Sequence, residues 1–218
     1  MFEERKARFV ERLLKEGSEG RVDFDLFDFL IYFNKSTQDY YTSSSCSGRI
    51  ILAAARHLSF AKSKGGVKAI AKWHRPITPS ELVNSMPPQG DLWLLVRGPI
   101  IHFIARDLDK AIELSKVAME AGFKRGGILS IKEWGVVVEV ESDDRLDVPL
   151  RIGGKAVYSD LAPIVDLANE TLMFGKIRLS NLIRLIEYRL LKRDVDPTLI
   201  KPRPYREFKM GDVHGSAN

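Results

Sequence analysis

Apolar side chains recur along this chain with two periods, one typical of helices and the other of strands. Spacings of three and four residues predict amphipathic helices, whereas short alternating or continuous apolar runs predict strands. The predicted helices cover residues 2–17, 23–34, 78–85, 107–121, 161–174 and 177–191. The predicted strands cover residues 40–42, 50–55, 92–97, 100–106, 127–131 and 136–140. Residues 62–66 and 143–147 are predicted as polar connections, and residues 127–140 as a hairpin that turns at 133–135.

Helices and hairpin-forming strands are interspersed in this order, which favours an α+β fold with a mixed sheet over a doubly wound parallel sheet. The chain contains neither a G-x-G-x-x-G nor a G-x-x-x-x-G-K-[ST] sequence, so a Rossmann-like fold is not expected. A faint similarity between residues 23–55 and 107–140 indicates a duplicated α-β-β unit or a chance likeness. We predict one compact domain over residues 1–193, which starts with a helix and ends with a basic helix, and an extended basic tail over 194–218.

The composition is that of a globular protein, since 44% of the 218 residues are apolar and 29% are charged. The single cysteine excludes a disulfide scaffold, and the four widely spaced histidines form no metal-ligand pair, so no metal site is expected. The apolar runs are shorter than the ~20 residues that a membrane-spanning helix needs. The N-terminus alternates acids and bases and has no apolar leader, and we therefore expect a cytoplasmic protein without membrane contact.

The formal net charge of +5 is unevenly distributed. Residues 176–209 hold ten basic and four acidic side chains, a net charge of +6, so the remainder of the chain sums to −1. A basic segment of this kind is typical of proteins that bind a polyanion such as RNA, DNA or a phosphorylated ligand. A solvated tail that aids solubility is the alternative, and charge alone does not separate the two.

The segment 42–49, TSSSCSGR, concentrates five hydroxyl side chains, a thiol, a glycine and an arginine. Hydroxyl and amide groups on a turn can bind a carboxylate, a ribose or a phosphate. Glycine lets a ligand approach the backbone, and arginine can bind an oxyanion with two hydrogen bonds. A serine-rich structural turn is the alternative. The position between two apolar strands favours a binding site at the end of a sheet.

Several single residues allow both a functional and a structural interpretation. Cys46 could be a nucleophile, a neutral pocket wall or a small buried residue. Asp23 could serve chemistry or only cap the helix that it begins. His102, inside an apolar strand, could be a hydrogen-bonded core histidine. The run from Trp73 to Arg75 joins a stacking ring to two donors, which suits a nucleobase and phosphate but also an ordinary strand end.

Six short motifs stand in one order along the chain: GRVD at 20–23, TSSSCSGRI at 42–50, KGG at 64–66, WHR at 73–75, IIHF at 100–103 and AGFKRGGI at 121–128. Together with VESDDRLDVPL at 140–150, they resemble the tRNA wybutosine-synthesising protein 3 family in its stand-alone archaeal form. The resemblance extends over roughly residues 17–189, which is most of the chain.

This resemblance implies an S-adenosylmethionine-dependent methyltransferase with a mixed α/β fold that is not Rossmann-like. Its substrate would be the N4 ring nitrogen of the tricyclic wybutosine precursor next to the anticodon of tRNA-Phe. The implied catalytic residues are Asp23, His102, Ser45 and Cys46, with Asp23 or His102 handling the proton. The implied cofactor-binding residues are Thr42, Ser44, Ser45, Gly48 and Arg49.

Contacts with the tRNA are expected from two basic groups of residues. Those nearest the motif are Lys64, Trp73, His74 and Arg75, and those of the C-terminal helix are Arg184, Arg189, Lys192 and Arg193. Two alternative functions stay open from the residues alone. A non-catalytic RNA-binding module would use the same basic surface, and a cysteine-nucleophile enzyme would act on a phosphorylated small molecule.

Overall fold

The computed structural model describes residues 1–58 and 66–195 and contains five helices and nine strands in these ranges. The helices are α1 (Phe2–Ser18), α2 (Phe24–Ser36), α3 (Pro79–Ser85), α4 (Leu108–Glu120) and α5 (Ala162–Arg189). The strands are β1 (Tyr40–Cys46), β2 (Arg49–Ala54), β3 (Lys68–Trp73), β4 (Leu92–Arg97), β5 (Ile100–Ala105), β6 (Arg125–Lys132), β7 (Gly135–Glu141), β8 (Arg145–Ile152) and β9 (Lys155–Ala156).

The strands form two antiparallel sheets, which confirms the α+β class and the absence of a Rossmann arrangement. The first sheet has the order β1-β5-β7-β6 and the second has the order β3-β2-β4-β8-β9. The predicted hairpin at 133–135 joins β6 to β7. The two segments with faint internal similarity are built differently, because β1 and β2 lie in different sheets whereas β6 and β7 pair with each other.

The chain passes from one sheet to the other at three neighbouring places, a junction that we call the seam. Its connections are Ser47 and Gly48, Gly98 and Pro99, and residues 142–144. Two backbone hydrogen bonds join the last two connections, from Gly98 N to Asp144 O at 2.8 Å and from Ser142 N to Pro99 O at 2.9 Å. Gly48 adopts a φ of +100°, and a Cβ there would lie 3.3 Å from the carbonyl oxygen of Arg97. The chain therefore needs glycine at this crossing.

Helix α5 spans both sheets and holds them together. Its first half packs Val165, Ala168 and Leu172 into the core of the second sheet, and its second half packs Leu182 and Ile186 into the core of the first. The prediction of two helices broken after residue 174 is wrong, because the helix continues through Gly175. Glycine is needed there for packing, since a Cβ would lie 2.8 Å from Pro99 Cδ in the seam. Among the described residues, α5 included, no helix combines the length and the apolar character needed to cross a membrane.

Replacing Gly175 with valine should destabilise the protein by forcing α5 away from the seam. A side chain would overlap the ring of Pro99, and overpacking of this kind costs about 1–3 kcal/mol. We expect the Tm of Gly175→Val to fall accordingly in thermal unfolding. Asp166→Val, which places the same β-branched residue on the exposed face of α5, is the matched control and should leave the Tm nearly unchanged. Equal Tm values for both variants would contradict the close approach of α5.

The structure corrects or extends the predicted elements in three places. Residues 143–147 were expected to be a polar loop, but β8 begins at Arg145 and continues through Pro149, which lies at a register shift opposite Trp93 where proline is tolerated. Strand β3 was not predicted. Strand β1 continues past residue 42 to Cys46, so the hydroxyl-rich segment belongs mainly to a strand rather than to a turn. The predicted turn at 62–66 lies almost wholly outside the described residues, and the domain boundary at 193 stays a prediction.

Candidate active site

Strand β1 carries the hydroxyl-rich segment along an edge of the first sheet, next to β5. Successive side chains of a strand point to opposite faces, so Ser44 and Cys46 share one face about 7 Å apart. Ser44 pairs with His102 of β5, and the neighbours of His102 along the strand, Ile101 and Phe103, are fully buried in the helix-covered core. Ser44, Cys46 and His102 therefore lie on the opposite face of the sheet from that core.

Ser44, His102 and Glu139 form a polar row across three neighbouring strands. The hydroxyl of Ser44 lies 2.8 Å from His102 Nδ1, and His102 Nε2 lies 2.7 Å from Glu139 Oε2. The carboxylate can only accept, so it holds the ring proton on Nε2 and leaves Nδ1 to accept the hydroxyl proton of Ser44. Ser44 then presents its oxygen lone pairs to a ligand as an acceptor. His102 is thus hydrogen-bonded on a sheet surface and not enclosed in the core.

A second cluster, Asp23, His74 and Cys46, adjoins this row where β1 ends. Asp23 caps α2, His74 follows β3, and the cluster therefore joins elements of both sheets. Asp23 Oδ1 lies 2.9 Å from His74 Nδ1, while Asp23 Oδ2 accepts a hydrogen bond of 2.6 Å from the backbone N–H of Ser47. Asp23 makes no side-chain bond to its own helix, so the interpretation as a simple helix cap is insufficient.

The thiol of Cys46 is held in its neutral form by its surroundings. Burial raises the pKa of Cys46, and the negative charge of Asp23 raises it further. Its Sγ lies 3.9 Å from His74 Nδ1, the same nitrogen that binds Asp23, so the imidazole does not relay charge between thiol and carboxylate. A nucleophilic cysteine needs the thiolate, and this environment opposes it. Cys46 therefore acts as a wall of the site.

The same three side chains also offer one metal-ligand atom each within 4.8 Å of one another. A separation of 2.9 Å between Asp23 Oδ1 and His74 Nδ1 is that of a direct hydrogen bond. In this arrangement one proton lies between the carboxylate and the imidazole.

Arg49 supplies positive charge beside the thiol. It opens β2 directly after Gly48, and its charge acts on the Cys46 thiol. Within residues 1–58 and 66–195, Arg49 forms no ion pair, and its buried Nε has no hydrogen-bond acceptor. By contrast, the neighbouring Arg97 binds Asp147 at 2.5 Å. An uncompensated, half-buried guanidinium is unfavourable unless an anion binds to it.

A groove of about 280 Å³ runs beside the hydroxyl segment, between α1 and the edge of β1. Arg12, Arg21, Ser44 and Ser45 are among its polar lining residues. Thr42 also reaches the groove, but its hydroxyl accepts a hydrogen bond of 2.7 Å from Asn34, whose Oδ1 binds the Thr42 backbone N–H at 2.8 Å. Asn34 thus fastens the unpaired edge of β1 to α2, and Thr42 has a structural partner that the sequence did not indicate.

The residues predicted to contact RNA lie in two separate regions. Near the cluster, Trp73 packs against the second core, His74 binds Asp23, and Arg75 binds Glu81 at 2.6 Å. At the other end, Arg189 pairs with Glu120 and Arg193 with Glu187. Arg189 lies about 20 Å along α5 from Lys176, and Lys176 contacts Ser47 next to the Asp23 cluster. Arg184 and Lys192 belong to the same end of the chain, and Lys64 lies outside the described residues.

Sequence reasoning missed Glu139 and assigned His74 to a different role. Glu139 places a charge within the otherwise apolar run of β7, and this charge was the signal in the sequence that could have pointed to a polar partner. His74 stands 51 residues from Asp23 in the chain, and its partner emerges only from the pairing of β2 with β3. The structure brings Asp23, Cys46 and Arg49 together with Gly48 at the seam, and the roles that the resemblance implies for them stay predictions.

A family model and several named relatives all match this chain over most of its length. The family model described as "Methyltransferase TYW3" matches residues 4–188. A protein of Thermococcus kodakarensis named tRNA(Phe) 7-((3-amino-3-carboxypropyl)-4-demethylwyosine(37)-N(4))-methyltransferase 1 is 36% identical over 190 residues, which is 85% of this chain and 94% of the relative. A Saccharolobus solfataricus protein with the same name, lacking the final numeral, is 34% identical over 190 residues, or 85% of this chain and 90% of the relative.

Solved structures show the same fold. The PH1069 protein from Pyrococcus horikoshii superimposes with a TM-score of 0.76 at 34% identity, covering 84% of this chain and 94% of that one. A hypothetical protein from Aeropyrum pernix superimposes with a TM-score of 0.68 at 29% identity, covering 78% of this chain and 99% of that one.

Proposed function

The chain belongs to the methyltransferase TYW3 family, and from this membership we propose that it methylates the N4 ring nitrogen of a 4-demethylwyosine-type base in tRNA-Phe. The observation that carries the proposal is the junction of Asp23, His74, Cys46 and Arg49 at the seam. The hydroxyl-lined groove includes the chain neighbours of two of these residues, Val22 and Ser45. The alignments with relatives named for this reaction cover most of this chain.

The methyl donor is proposed to be S-adenosylmethionine, and the residues present fit it. Arg49 has a buried Nε–H without an acceptor among the described residues, which suits the carboxylate of the donor. Ser44 offers oxygen lone pairs, which suit its ammonium group. Gly48 is needed for the crossing of the chain, since its missing Cβ leaves room for Arg97 O and Leu172, and its expected contact with the donor stays a prediction. When bound, S-adenosylmethionine supplies a methyl group on a positively charged sulfur.

The protein's own residues have three tasks: they bind the donor and the base, orient the two for reaction, and accept one proton. Asp23, with both carboxylate oxygens engaged, fixes His74 relative to the backbone at Ser47. Neutral Cys46 offers a compact wall that excludes water from the cluster. Holding the reacting nitrogen in line with the methyl carbon at near contact removes most of the entropic cost of a bimolecular step.

Phe24 is the residue best placed to receive the base. It follows Asp23 directly, and 94% of its surface is exposed, which is unusual for a large apolar side chain. An exposed ring beside a polar site is typical of stacking surfaces for nucleobases, where one stacked base contributes about 1–3 kcal/mol. We expect Phe24→Ala to weaken tRNA binding by about 5- to 150-fold in a filter-binding or anisotropy titration.

The control for Phe24 is Met119→Ala, which removes an exposed apolar side chain from α4. It should leave the affinity for tRNA unchanged, and Phe24→Trp should retain binding because it keeps a stacking surface. Equal affinities for Phe24→Ala and the wild type would remove Phe24 from the RNA surface. The expected phosphate contacts of Arg184, Arg189, Lys192 and Arg193 stay predictions, as does the cytoplasmic location.

The two alternative functions are less well supported. A non-catalytic RNA-binding module does not require a buried cluster with an uncompensated arginine. A cysteine-nucleophile enzyme requires a thiolate, whereas burial and Asp23 both raise the pKa of Cys46. Cys46→Ser distinguishes them further, since a wall position tolerates serine and a nucleophile does not.

The decisive experiment uses purified protein, labelled S-adenosylmethionine and tRNA from a strain that lacks the protein. Nucleoside mass spectrometry should show one added methyl group on the tricyclic base of tRNA-Phe only. Transfer to another nucleoside, or no transfer although both ligands bind, would refute the proposed function. Calorimetry with S-adenosylmethionine alone separates an enzyme from a pure RNA-binding module.

A further inference from the structure

We propose that His74, rather than Asp23 or His102, accepts the proton that leaves the substrate nitrogen. This inference rests on the proposed function. It also changes the role of His74, which the sequence suggested only as an RNA contact. Among the described residues, His74 alone of these three side chains has a ring nitrogen or carboxylate oxygen that takes part in no hydrogen bond.

Asp23 is poorly placed to act as the direct base, because each of its oxygens already accepts a hydrogen bond. Its Oδ1 faces His74 Nδ1 at 2.9 Å, and its Oδ2 accepts the Ser47 backbone N–H at 2.6 Å. Only 15% of its side chain is exposed. A carboxylate that accepts hydrogen bonds from two fixed donors orients those donors. Asp23 is therefore a positioning residue.

His102 is engaged at both ring nitrogens. Nδ1 binds the hydroxyl of Ser44, and Nε2 binds the carboxylate of Glu139. It could accept a proton only after one of these hydrogen bonds is broken. Its geometry suits a residue that fixes the direction of the Ser44 hydroxyl.

His74 differs from both because one of its ring nitrogens remains available. Asp23 retains the proton on Nδ1, so Nε2 carries a lone pair. In the described part of the chain Nε2 has no hydrogen-bond partner, and 39% of the side chain is exposed. The carboxylate also stabilises the imidazolium that forms when Nε2 takes a proton, an arrangement that the Asp–His pair of serine proteases uses.

The ring nitrogen of the base forms a bond to the methyl carbon as the carbon–sulfur bond of the sulfonium donor breaks. The electron pair of the broken bond stays on sulfur, which becomes a neutral thioether. The hydrogen on the ring nitrogen passes as a proton to His74 Nε2, and water later removes it. General base assistance of this kind contributes about 10²- to 10⁴-fold in rate.

The test compares His74→Asn with His102→Gln in single-turnover methyl transfer across a range of pH. Asparagine retains an N–H near the Nδ1 position for Asp23 but has no Nε2. We expect His74→Asn to transfer methyl 10²- to 10⁴-fold more slowly and to lose the fall in rate at acid pH, while His102→Gln keeps that fall. The groups that face His74 are the Asp23 carboxylate and the Cys46 thiol, with Arg49 beyond the thiol.

Chemical rescue separates a base from a structural role. Added imidazole should restore a large part of the methyl-transfer rate of His74→Ala, and the rate should rise with imidazole concentration. The methyl-transfer rate of Asp23→Ala should rise less. Binding of S-adenosylmethionine and tRNA by His74→Asn should stay within about threefold of the wild type. A wild-type pH profile in His74→Asn, or the absence of imidazole rescue, would overturn the inference. A wild-type protein that transfers no methyl would instead overturn the proposed function.

Discussion

Asp23→Asn should lower the rate of methyl transfer by about 10²- to 10⁴-fold without unfolding the protein. Both oxygens of Asp23 accept hydrogen bonds, one from His74 Nδ1–H and one from the Ser47 backbone N–H. An asparagine has only one oxygen, so its NH₂ group must face one of these donors. If it faces His74, the ring proton moves to Nε2 and the lone pair that we assign to the reaction is lost. If it faces Ser47, a backbone N–H at the seam loses its acceptor.

The measurement is single-turnover transfer from labelled donor, with binding of both ligands followed separately. Asp28→Asn makes the same change of charge on an exposed position of α2 and should transfer methyl at the wild-type rate. A rate for Asp23→Asn within threefold of Asp28→Asn would show that the carboxylate is not needed. Because the change is isosteric, the circular dichroism spectrum should be that of the wild type, and any fall in Tm should correspond to no more than the one hydrogen bond at Ser47.

Arg49→Ala should raise the Kd for S-adenosylmethionine by about 10- to 150-fold. This follows from a charge-assisted hydrogen bond, which contributes about 1.5–3 kcal/mol when its partner is ionised. The guanidinium has a buried Nε without an acceptor and no ion pair among the described residues, so an anionic ligand is its remaining partner. Arg49→Lys should restore only part of the affinity, because an ammonium cannot bind a carboxylate through two parallel hydrogen bonds.

Isothermal titration calorimetry measures this effect directly. Arg56→Ala removes an exposed arginine just beyond the end of β2 and serves as the control, with an unchanged Kd expected. If Arg49→Ala bound the donor normally but lost affinity for tRNA, the anion held by Arg49 would be a phosphate of the RNA. The assignment of Arg49 to the donor carboxylate would then be wrong, while the conclusion that the Arg49 guanidinium binds an anion would remain.

Local patterns predicted most elements but not how the chain connects them. The spacing of apolar residues predicted the positions of α2, α4 and the β6–β7 hairpin, because amphipathic periodicity follows from burial of one face. It failed at Gly175, where a tertiary contact with Pro99 overrides the poor helix propensity of glycine. It also failed at β8, where charged residues and Pro149 mask a strand that pairs with β4.

The sequence predicted the segment that forms the candidate site but not the side chains that it is paired with. The segment 42–49 stands out by composition, and family resemblance added Asp23 and His102. The partners His74 and Glu139 depend on which strands lie side by side, a property of the whole fold that short-range pattern does not contain. His74 was therefore assigned to RNA binding, whereas its nearest carboxylate is Asp23.

The seam has a consequence for how substrate reaches the site. Enzymes that close a hinge need a few connecting residues that can absorb backbone rotation. Here the connections at Gly98 and Ser142 are bonded to each other, and α5 is packed against both sheets across them. We therefore expect the protein to stay rigid and the RNA to move. The modified nucleotide would rotate out of the stacked anticodon loop into a preformed site, so that loop stacking, rather than domain closure, governs access to the reacting nitrogen.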